Sequence, residues 1–415
     1  MPHEQVDLAV VGCGVSGAAA ALAAAQRGIS VSILEEHSKV GEPTHCSGHV
    51  GILAFKQFAP KMPRRIIENE IKGAVLYPPN EKPITLKRAT PVTWVLNRAE
   101  LDRHLARVAT EAGARLRMNS RVETFRRLDK GFQVRIAGAK PAELTCKMLI
   151  DASGFGGSVS KYAGLSQAGP RMLVNSAQFS VDNVSDVDED FVELYFGQQY
   201  APGFFGWIIP RRDGSAKVGI AASARANVRQ CFERFVSRHP VVSKKLKHAH
   251  RLTKTMFHPI PVDGATRRTY AEGILSVGDS ASQVKPTTGG GIVFGLACGR
   301  IAGTTAANAV MTDNTSALSL STYEKSWRQL IGFDLKAMSW LRRLLYRLPD
   351  QYLDRIFKVS NELRADEILN RTSDIDFQGR TLASLARDPR LFITLLSASI
   401  LSAPSLLRTE AQAPR

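Results

Sequence analysis

The sequence predicts an α/β fold: a Rossmann-type nucleotide-binding domain, interrupted by a mostly antiparallel sheet and followed by a helical C-terminal region. Three features predict it. Residues 6–34 alternate strand, glycine-rich turn, helix and strand, as in a βαβ unit. Short strand-like runs between positions 74 and 222 are typical of a second sheet. From about residue 318 onward, hydrophobic residues recur at helical spacing.

The N-terminal βαβ unit is the clearest of these patterns. Val6–Val11 is a short apolar run that ends at a glycine, as a buried parallel strand does. Ala18–Ala25 is a helix of small residues that can pack closely on a sheet, and Ile29–Leu34 is the next strand. Farther along, the sequence predicts a capped helix and two more buried strands, at Asn97–Ala112, Lys147–Asp151 and Gly273–Val277.

The strand-like runs in the middle of the chain indicate a domain inserted into the first one. They are Ala74–Tyr77, Asn175–Val181, Phe191–Phe196 and Lys217–Ala222. We therefore expect a discontinuous nucleotide-binding domain over residues 1–165 and 270–317, which includes part of an interdomain sheet. A substrate-binding domain over residues 166–269 and a helical region over residues 318–415 complete the predicted organisation.

Composition excludes several classes of protein. With 44% hydrophobic and 22% charged residues, the chain is neither disordered nor collagen-like. Its five scattered cysteines form neither a metal cluster nor a disulfide framework, so we expect no metal and a reducing, cytoplasmic location. The N-terminus enters an apolar strand almost at once, where no signal peptide fits. The most apolar segment, Leu391–Leu407, is too short and too interrupted to span a membrane.

The charge of the chain is positive and unevenly distributed. The formal net charge is +17, and Arg211–Arg268 alone carries fourteen lysines and arginines against three acidic residues. Such a segment favours an anionic partner, but no known nucleic-acid-binding motif accompanies it. It predicts an ordinary solvated face, a site for the phosphate headgroup of a lipid substrate, or a peripheral contact with an anionic cytoplasmic membrane. Trp340–Arg347 is amphipathic and basic; it fits an interfacial helix, and it fits an ordinary packed helix at least as well.

A dinucleotide fingerprint follows the first strand. Gly12, Gly14 and Gly17 stand in GxGxxG spacing, with Ser16 among them, where the strand turns into a helix. The first glycine permits the turn, the second lets the backbone approach a pyrophosphate, and the third lets helix and strand pack closely. The helix N-terminus attracts the phosphates. Glu35, at the end of the second strand, can accept hydrogen bonds from ribose hydroxyls, which favours NAD or FAD over a 2′-phosphorylated dinucleotide.

A glycine-rich segment late in the chain favours FAD. Asp279 follows the strand Gly273–Val277, and Gly289–Gly291 open a glycine-rich helix at Ile292. A carboxylate at a strand end can hold the ribityl hydroxyls of a flavin, and a helix N-terminus can stabilise negative charge on a reduced isoalloxazine ring. Because the chain has only one complete fingerprint, we expect no dedicated nicotinamide domain. Electrons must then arrive from a transiently bound external donor, either ferredoxin or NAD(P)H.

Several segments give the chain its similarity to a known family. They are the fingerprint with Glu35, Gly41–Gly48, Asn97–Asp102, Asp151–Gly154, Pro202–Pro210 and Gly278–Gly291. On these segments the chain resembles the geranylgeranyl reductases, in particular the archaeal digeranylgeranylglycerophospholipid reductases, over most of residues 6–350. The resemblance implies a flavin hydroxylase-like fold, with FAD as cofactor. It also implies that reduced FAD saturates C=C bonds of polyprenyl chains, on isoprenoid diphosphates or archaeal-type ether lipids.

The resemblance implies a functional cysteine at Cys46. Saturating an unactivated alkene needs a hydride on one carbon and a proton on the other, so the protein must position the alkene and supply or relay the proton. Cys46 is the best candidate near the flavin ring, and His45 and His49 beside it could tune the pKa of its thiol. A lone cysteine is as often a small buried hydrophobic residue, and both interpretations stay open.

The motifs and the resemblance together predict the remaining site residues. Phe205, Trp207 and Pro210 would line an apolar channel for the polyprenyl chain, although aromatic residues on a strand are also common in plain core. The predicted FAD-binding residues are Gly12, Gly14, Ser16, Gly17, Glu35, Glu36, Cys46, Ser47, Gly48, Arg98, Gly154, Asp279, Gly289, Gly290, Gly291 and Ile292.

Two departures from the family pattern keep an alternative open. Phe205–Pro210 has the sequence FGWIIP where the family has YxWxFP, and this variant leans toward the WxWxIP of flavin-dependent halogenases. Ser47–Val50 also departs from the small residue, Glu, Gly and Ile that are common in the family, which leaves the prenyl type open. The alternative function is a flavin-dependent monooxygenase or halogenase. No local motif identifies the lysine that halogenases place near their substrate.

Overall fold

A computed structural model of the chain divides into two compact units. It describes residues 3–80, 82–137, 142–165, 173–262, 264, 268–346, 348–362, 364, 367 and 375–379. Unit 1 comprises residues 1–67, 96–172 and 260–335, and unit 2 comprises residues 68–95, 173–259 and 336–415. Each unit is therefore assembled from three separate stretches of sequence.

The described residues form strands and helices that we number in chain order. The strands are β1 His3–Val11, β2 Val31–Leu34, β3 His49–Gly51, β4 Ile67–Ile71, β5 Gly73–Tyr77, β6 Ile84–Lys87, β7 Thr93–Leu96, β8 Arg115–Arg117, β9 Arg121–Arg127, β10 Phe132–Ala137, β11 Ala142–Asp151, β12 Leu173–Asp182, β13 Phe191–Phe196, β14 Phe205–Pro210, β15 Ala216–Ser223, β16 His250–Arg251, β17 Met256–Pro261, β18 Tyr270–Ala271 and β19 Ile274–Ser276. The helices are α1 Val15–Ala25, α2 Ile52–Phe58, α3 Arg98–Glu111, α4 Ser158–Tyr162, α5 Val228–Arg238, α6 Val242–Lys245, α7 Ile292–Met311, α8 Ala317–Leu345 and α9 Asp350–Glu362.

Unit 1 is built on a mainly parallel sheet. Its parallel strands lie in the order β8, β2, β1, β11, β19, and β18 adds an antiparallel strand at one end. The hairpin of β9 and β10 pairs with β11. This doubly wound order brings the carboxyl ends of β1, β2, β11 and β19 to one edge, where folds of this kind bind their ligands. The predicted α/β fold class is confirmed.

Helices α1 and α7, both rich in small residues, pack against each other in unit 1. A Cβ atom on Gly299 would lie 2.4 Å from the carbonyl oxygen of Ser16, and one on Gly303 would lie 2.0 Å from that of Ala20. Nonbonded atoms do not approach so closely, so these positions of α7 leave no room for a side chain. Together with Gly295, these glycines recur every four residues and therefore face α1 on successive helical turns.

Unit 2 is built on a mostly antiparallel sheet, as the sequence predicts. Its strands lie in the order β16, β12, β15, β14, β13, β5, β6, and β17 also pairs with β12. The pairing of β13 with β5 is parallel, while the pairings of β12 with β15, β15 with β14, and β14 with β13 are antiparallel. Helix α5 contributes Phe232 and Phe235 to a core with Ile208 and Val218 of the sheet.

The basic segment of the sequence is divided between buried and exposed positions. Lys245 forms an ion pair with Glu193 at 2.6 Å, with side chains only 8% and 5% exposed. Lys217 and Arg211 both contact Glu68, at 2.7 and 3.2 Å. Because a buried charge needs a partner, these cations are structural. Only the remaining lysines and arginines of the segment can contribute to a charged surface.

The compact units do not follow the domain boundaries expected from sequence. Residues 260–269, expected in the substrate-binding domain, and residues 318–335, expected in the helical region, belong to unit 1. Residues 68–95 lie in unit 2 instead of the nucleotide-binding domain, because β5 pairs with β13 and β6 pairs with β5. Helix α8 begins in unit 1 and ends in unit 2, and α9 follows it. The segment Leu391–Leu407 lies outside the described residues, and among those that are described no helix is both long and apolar enough to cross a membrane.

Candidate functional site

The fingerprint turn between β1 and α1 leaves an open space at one glycine and none at the other two. Gly12 has φ of +96°, and a Cβ there would lie 2.5 Å from the carbonyl oxygen of Ala152. A Cβ on Gly17 would lie 2.0 Å from the carbonyl oxygen of Gly12. At Gly14, by contrast, a Cβ would meet no atom within 4 Å. The backbone at Gly14 is therefore accessible to a ligand, as a pyrophosphate requires.

The carboxylate of Glu35 is held against this turn. Its Oε2 accepts a hydrogen bond from the backbone N–H of Cys13 at 2.8 Å. Its Oε1 accepts one from the backbone N–H of His37 at 3.0 Å and lies 2.7 Å from Nδ1 of the same residue. Glu36 is instead exposed, and its carboxylate faces the side chain of Arg121 at 3.7 Å. The structure thus brings one of the two predicted acidic residues to the fingerprint turn.

A buried carboxylate at the end of β11 organises the neighbouring loops. Asp151 accepts hydrogen bonds from the backbone N–H groups of Ser153 and Ser160, at 3.1 and 2.8 Å, and from the hydroxyls of both serines. Ser280 donates to the carbonyl oxygen of Gly154 at 2.8 Å. The predicted site residue Gly154 is therefore linked to the late glycine segment. Sequence reasoning did not select Asp151, although its place at a strand end was a usable signal.

The late glycine segment lies beside the fingerprint helix. The turn at Gly278–Ala281 packs on α1, since a Cβ on Gly278 would lie 2.4 Å from Oγ of Ser16. The side chain of Gln283, which is fully buried, accepts from the backbone N–H of Gly278 at 2.9 Å. A Cβ on Gly291 would lie 3.2 Å from Oδ1 of Asp279. Ser16, Asp279 and the glycines that precede α7 at Ile292 therefore form one neighbourhood.

Arg98 connects the cysteine loop to this neighbourhood. Its Nη2 donates to both carboxylate oxygens of Asp102, each at 2.9 Å, and its side chain lies close enough to Cys46 to interact with it electrostatically. Burial disfavours the charge of Arg98, but Asp102 outweighs it, with Cys46 acting in the same direction, and raises the pKa of the guanidinium. Burial raises the pKa of the Asp279 carboxyl, and the charge of Arg98 lowers it in part.

One donor of Arg98 has no partner in the protein. Its Nε is buried and makes no hydrogen bond to any residue in the part of the chain that the structure describes. A buried N–H without a partner costs about 1–3 kcal/mol, so such a group in a native protein indicates a missing ligand or water. Cys46 is partly exposed beside it, and its Sγ lies 3.4 Å from the backbone N–H of Gly48. The buried Nε–H of Arg98 is thus available to donate a hydrogen bond to a bound ligand.

Asp102, which sequence reasoning left out, gives a test of the buried pair. We expect Asp102→Asn to lower the free energy of unfolding by about 3–5 kcal/mol, because it leaves the charge of Arg98 buried without its counterion. Urea unfolding of the apoprotein measures this. Glu111→Gln is the matched control, since Arg107 and Glu111 form an exposed pair on the same helix at the same spacing, which contributes at most about 0.5 kcal/mol. Equal effects of the two substitutions would contradict the assignment.

The aromatic residues of β14 are described within unit 2. Phe205 and Trp207 lie on one face of the strand with ring centroids 6.1 Å apart, and Nε1 of Trp207 donates to Gln178 at 3.0 Å. The opposite face packs on α5, since a Cβ on Gly206 would lie 2.5 Å from the ring of Phe235. Pro210 is buried, and its carbonyl oxygen accepts from Asn69 at 3.1 Å. Trp207 is the partly exposed one of the three predicted substrate residues.

The amphipathic end of α8 is partly packed. The ring of Tyr346 stacks on that of Phe204 at 5.4 Å, and Arg342 lies over both rings. Leu344 is buried in a cluster with leucines that follow it. These contacts favour the packed-helix interpretation for the apolar side, while Trp340 remains 53% exposed. Arg347 lies outside the described residues.

Comparison with known proteins agrees with this geometry. A family model described as an FAD binding domain matches residues 5–330. Digeranylgeranylglycerophospholipid reductase 2 of Methanothermobacter thermautotrophicus is 33% identical over 357 residues, which are 85% of this chain and 91% of that protein. The chain belongs to the digeranylgeranylglycerophospholipid reductase family. The reductase of Methanocaldococcus jannaschii is 29% identical over 363 residues, 87% of this chain and 92% of that relative.

Solved structures place this reductase family member in the expected fold. A geranylgeranyl bacteriochlorophyll reductase-like protein from Thermoplasma acidophilum has a TM-score of 0.84 and 26% identity, covering 96% of this chain and 100% of that chain. A flavin-dependent brominase has a TM-score of 0.69 at 15% identity, covering 88% of this chain and 93% of the brominase, which shows a shared fold alone. The protein is an FAD-dependent oxidoreductase of the geranylgeranyl reductase type, and FAD is its cofactor.

The residues of unit 1 fit this cofactor. A flavin dinucleotide would meet four groups here. They are the open backbone at Gly14, the carboxylates of Glu35 and Asp279, and the unpartnered Nε of Arg98. No group of three or more histidine, cysteine, aspartate or glutamate residues among those described could hold a metal ion.

Proposed function

We propose that this enzyme saturates C=C bonds of geranylgeranyl-type polyprenyl chains, carried by isoprenoid diphosphates or by archaeal-type ether lipids. The observation that carries the proposal is the 33% identity to a digeranylgeranylglycerophospholipid reductase over 91% of that relative. The FAD cradle of unit 1 supports it, because a redox cofactor is required for the reaction.

We assign the cofactor contacts to the predicted residues that cluster in unit 1. Gly14 and the N-terminus of α1 would receive the pyrophosphate, and Glu35 would receive the adenosine ribose. Asp279 would hold the ribityl hydroxyls, while Gly289–Gly291 and Ile292 at the start of α7 would lie against the isoalloxazine. Arg98 would donate its free Nε–H to the cofactor. The remaining assignments are Gly12, Ser16, Gly17, Glu36, Cys46, Ser47, Gly48 and Gly154.

The chemistry divides between the cofactor and the protein. Reduced FAD supplies a hydride equivalent to one alkene carbon, and the protein must deliver a proton to the other. Cys46 is the proposed proton donor, because the residue is partly exposed and its thiol carries an exchangeable proton. Arg98 lies beside Cys46 and would orient the thiol, and Asp102 positions Arg98 in turn.

We assign contact with the apolar chain to unit 2. Phe205 and Trp207 share one face of β14, and the hydrogen bond from Trp207 to Gln178 holds the indole in a single orientation. Aromatic rings held in this way form the rigid apolar wall that a prenyl chain needs. Pro210 would continue the wall. The external electron donor is ferredoxin or NAD(P)H, and the enzyme would work in the cytoplasm with peripheral contact to an anionic membrane.

An oxygen-consuming activity is the alternative. The sequence FGWIIP at Phe205–Pro210 leans toward halogenases, and halogenases share the fold. A monooxygenase or halogenase requires oxygen for turnover, whereas a reductase is productive without it. The presence or absence of oxygen therefore separates the two functions.

The test is an anaerobic reduction of lipid. Protein reduced with dithionite is incubated under argon with a geranylgeranyl ether lipid, and the lipid is analysed by mass spectrometry. We expect the lipid to gain the mass of one hydrogen molecule for each bond saturated. The same lipid with phytanyl chains is the control and should not change the flavin absorbance. If the flavin returns to its oxidised spectrum only when oxygen is admitted, the reductase function is wrong.

A further inference from the structure

A surface cavity in unit 2 combines positive charge with exposed apolar side chains. The cavity has a volume of about 520 Å³ and lies where β16 and β17 pair with the edge of β12. Arg229, Arg251 and Lys254 line it together with Leu252 and Phe257. We call these five residues the docking surface. No lining residue is acidic.

The cations of the docking surface carry uncompensated charge. Arg229, Arg251 and Lys254 are exposed and form no ion pair with any other residue within the described ranges. They differ in this from Lys217 and Lys245, which come from the same basic segment and are buried against carboxylates. Their charge is therefore available to an external anion.

The apolar side chains are exposed beside these cations. Leu252 is 51% and Phe257 39% exposed, although most large hydrophobic residues of the unit are buried. The guanidinium of Arg229 lies 4.9 Å from the ring centre of Phe257. Hydrogen bonds fix the loop that carries Leu252, because the backbone N–H of Leu252 donates to Ser180 at 2.9 Å. Cationic and apolar side chains therefore lie next to each other at this edge of the sheet of unit 2.

We propose that the docking surface binds the anionic surface of a lipid bilayer. Cations attract anionic headgroups, each contributing about 1 kcal/mol near the surface, while exposed aliphatic and aromatic side chains enter the boundary between headgroups and acyl chains. An acidic protein would use the charges but would leave Leu252 and Phe257 without an apolar environment, which favours the bilayer. The inference rests on the proposed function in one respect, since a lipid substrate gives the enzyme a reason to reach a membrane.

The test measures binding to vesicles that contain no prenyl lipid, so its outcome is independent of turnover. FAD-loaded enzyme is sedimented with phosphatidylcholine vesicles that contain one fifth phosphatidylglycerol, and with pure phosphatidylcholine vesicles. We expect binding to the anionic vesicles only. Raising sodium chloride from 0.05 to 0.5 M should weaken this binding, because the screening length falls from about 10 Å at 0.1 M salt to about 3 Å at 1 M. Lys254→Glu should weaken this binding about tenfold, and Leu252→Ser several-fold.

The matched control is Lys87→Glu, the same charge change at an exposed lysine of β6, which lies at the opposite edge of the sheet of unit 2. It should bind vesicles within about twofold of the wild type, since a single distant charge is screened. FAD absorbance and thermal unfolding confirm that each variant is folded. Equal weakening by Lys87→Glu and Lys254→Glu would assign binding to net charge and overturn the proposal. Wild-type binding by Leu252→Ser would overturn it too, as would binding to an acidic protein without binding to vesicles.

Discussion

The Gly17→Ala variant should fail to retain FAD and should lose stability. The added Cβ would lie 2.0 Å from the carbonyl oxygen of Gly12 and 3.2 Å from Cβ of Ala152. Relief requires the first turn of α1 to move away from β1, because the nearest neighbour is a backbone atom of the turn that follows β1 and cannot rotate aside. We expect the free energy of unfolding to fall by about 3 kcal/mol or more, which is the upper range for overpacking. Urea unfolding and the flavin content of the purified protein measure the two effects.

Gly14→Ala is the matched control for this prediction. Gly14 has φ of −73°, which alanine adopts readily, and its added Cβ would meet no protein atom within 4 Å. The apoprotein should therefore unfold within about 1 kcal/mol of the wild type. Its affinity for FAD should still fall about tenfold or more, because the methyl group occupies space proposed for the pyrophosphate. Unchanged FAD affinity in Gly14→Ala would contradict that placement.

The Cys46→Ala variant should bind FAD and lose most of its turnover. Removing a proton donor typically lowers the rate by about 10²–10⁴-fold. The side chain is partly exposed and small, so its removal should leave the fold and flavin absorbance close to those of the wild type. The measurement is the single-turnover rate of flavin reoxidation by geranylgeranyl lipid under argon.

A second cysteine provides the control for Cys46. Cys231 is 2% exposed and packs in the core of unit 2, so Cys231→Ala can lower stability without touching the proposed proton donor. It should retain wild-type turnover at a temperature where it is folded. Wild-type turnover in Cys46→Ala with FAD bound would remove Cys46 from the mechanism and leave it as a packing residue.

Local sequence was sufficient for the elements that hold the fingerprint. The βαβ unit could be predicted because its glycines, its small-residue helix and its strands are all specified within about thirty residues. The start of α3 was equally local: Asn97 accepts a hydrogen bond from the backbone N–H of Glu100 at 3.1 Å, as the capping pattern predicts. The glycine spacing of α7 was visible too, but its cause, close contact with α1, was not.

Sequence patterns could not predict which strands pair with each other when they are far apart in the chain. The sequence placed Ala74–Tyr77 in the second sheet but could not give the partner of this strand, and β5 joins β13, more than a hundred residues away. A strand pattern shows which face is apolar and carries no information about which strand lies beside it. The cations of the basic segment looked alike in sequence for the same reason, although Lys217 is buried and Lys254 is exposed.

The nucleotide-binding unit could therefore be predicted from a short, local pattern, although the structure shows that Gly12 is required by its contact with Ala152, far along the chain, and that a Cβ on Gly14 would meet no protein atom within 4 Å. The environment of Cys46 could not be predicted from such patterns. Cys46 lies near Arg98 because Leu96, at the end of β7, donates a backbone hydrogen bond of 2.9 Å to Gly48 in the loop that carries Cys46. Asp102 then holds Arg98 from one helical turn away. Contacts of this kind form only when β3 and β7 have paired, because these strands are far apart in sequence.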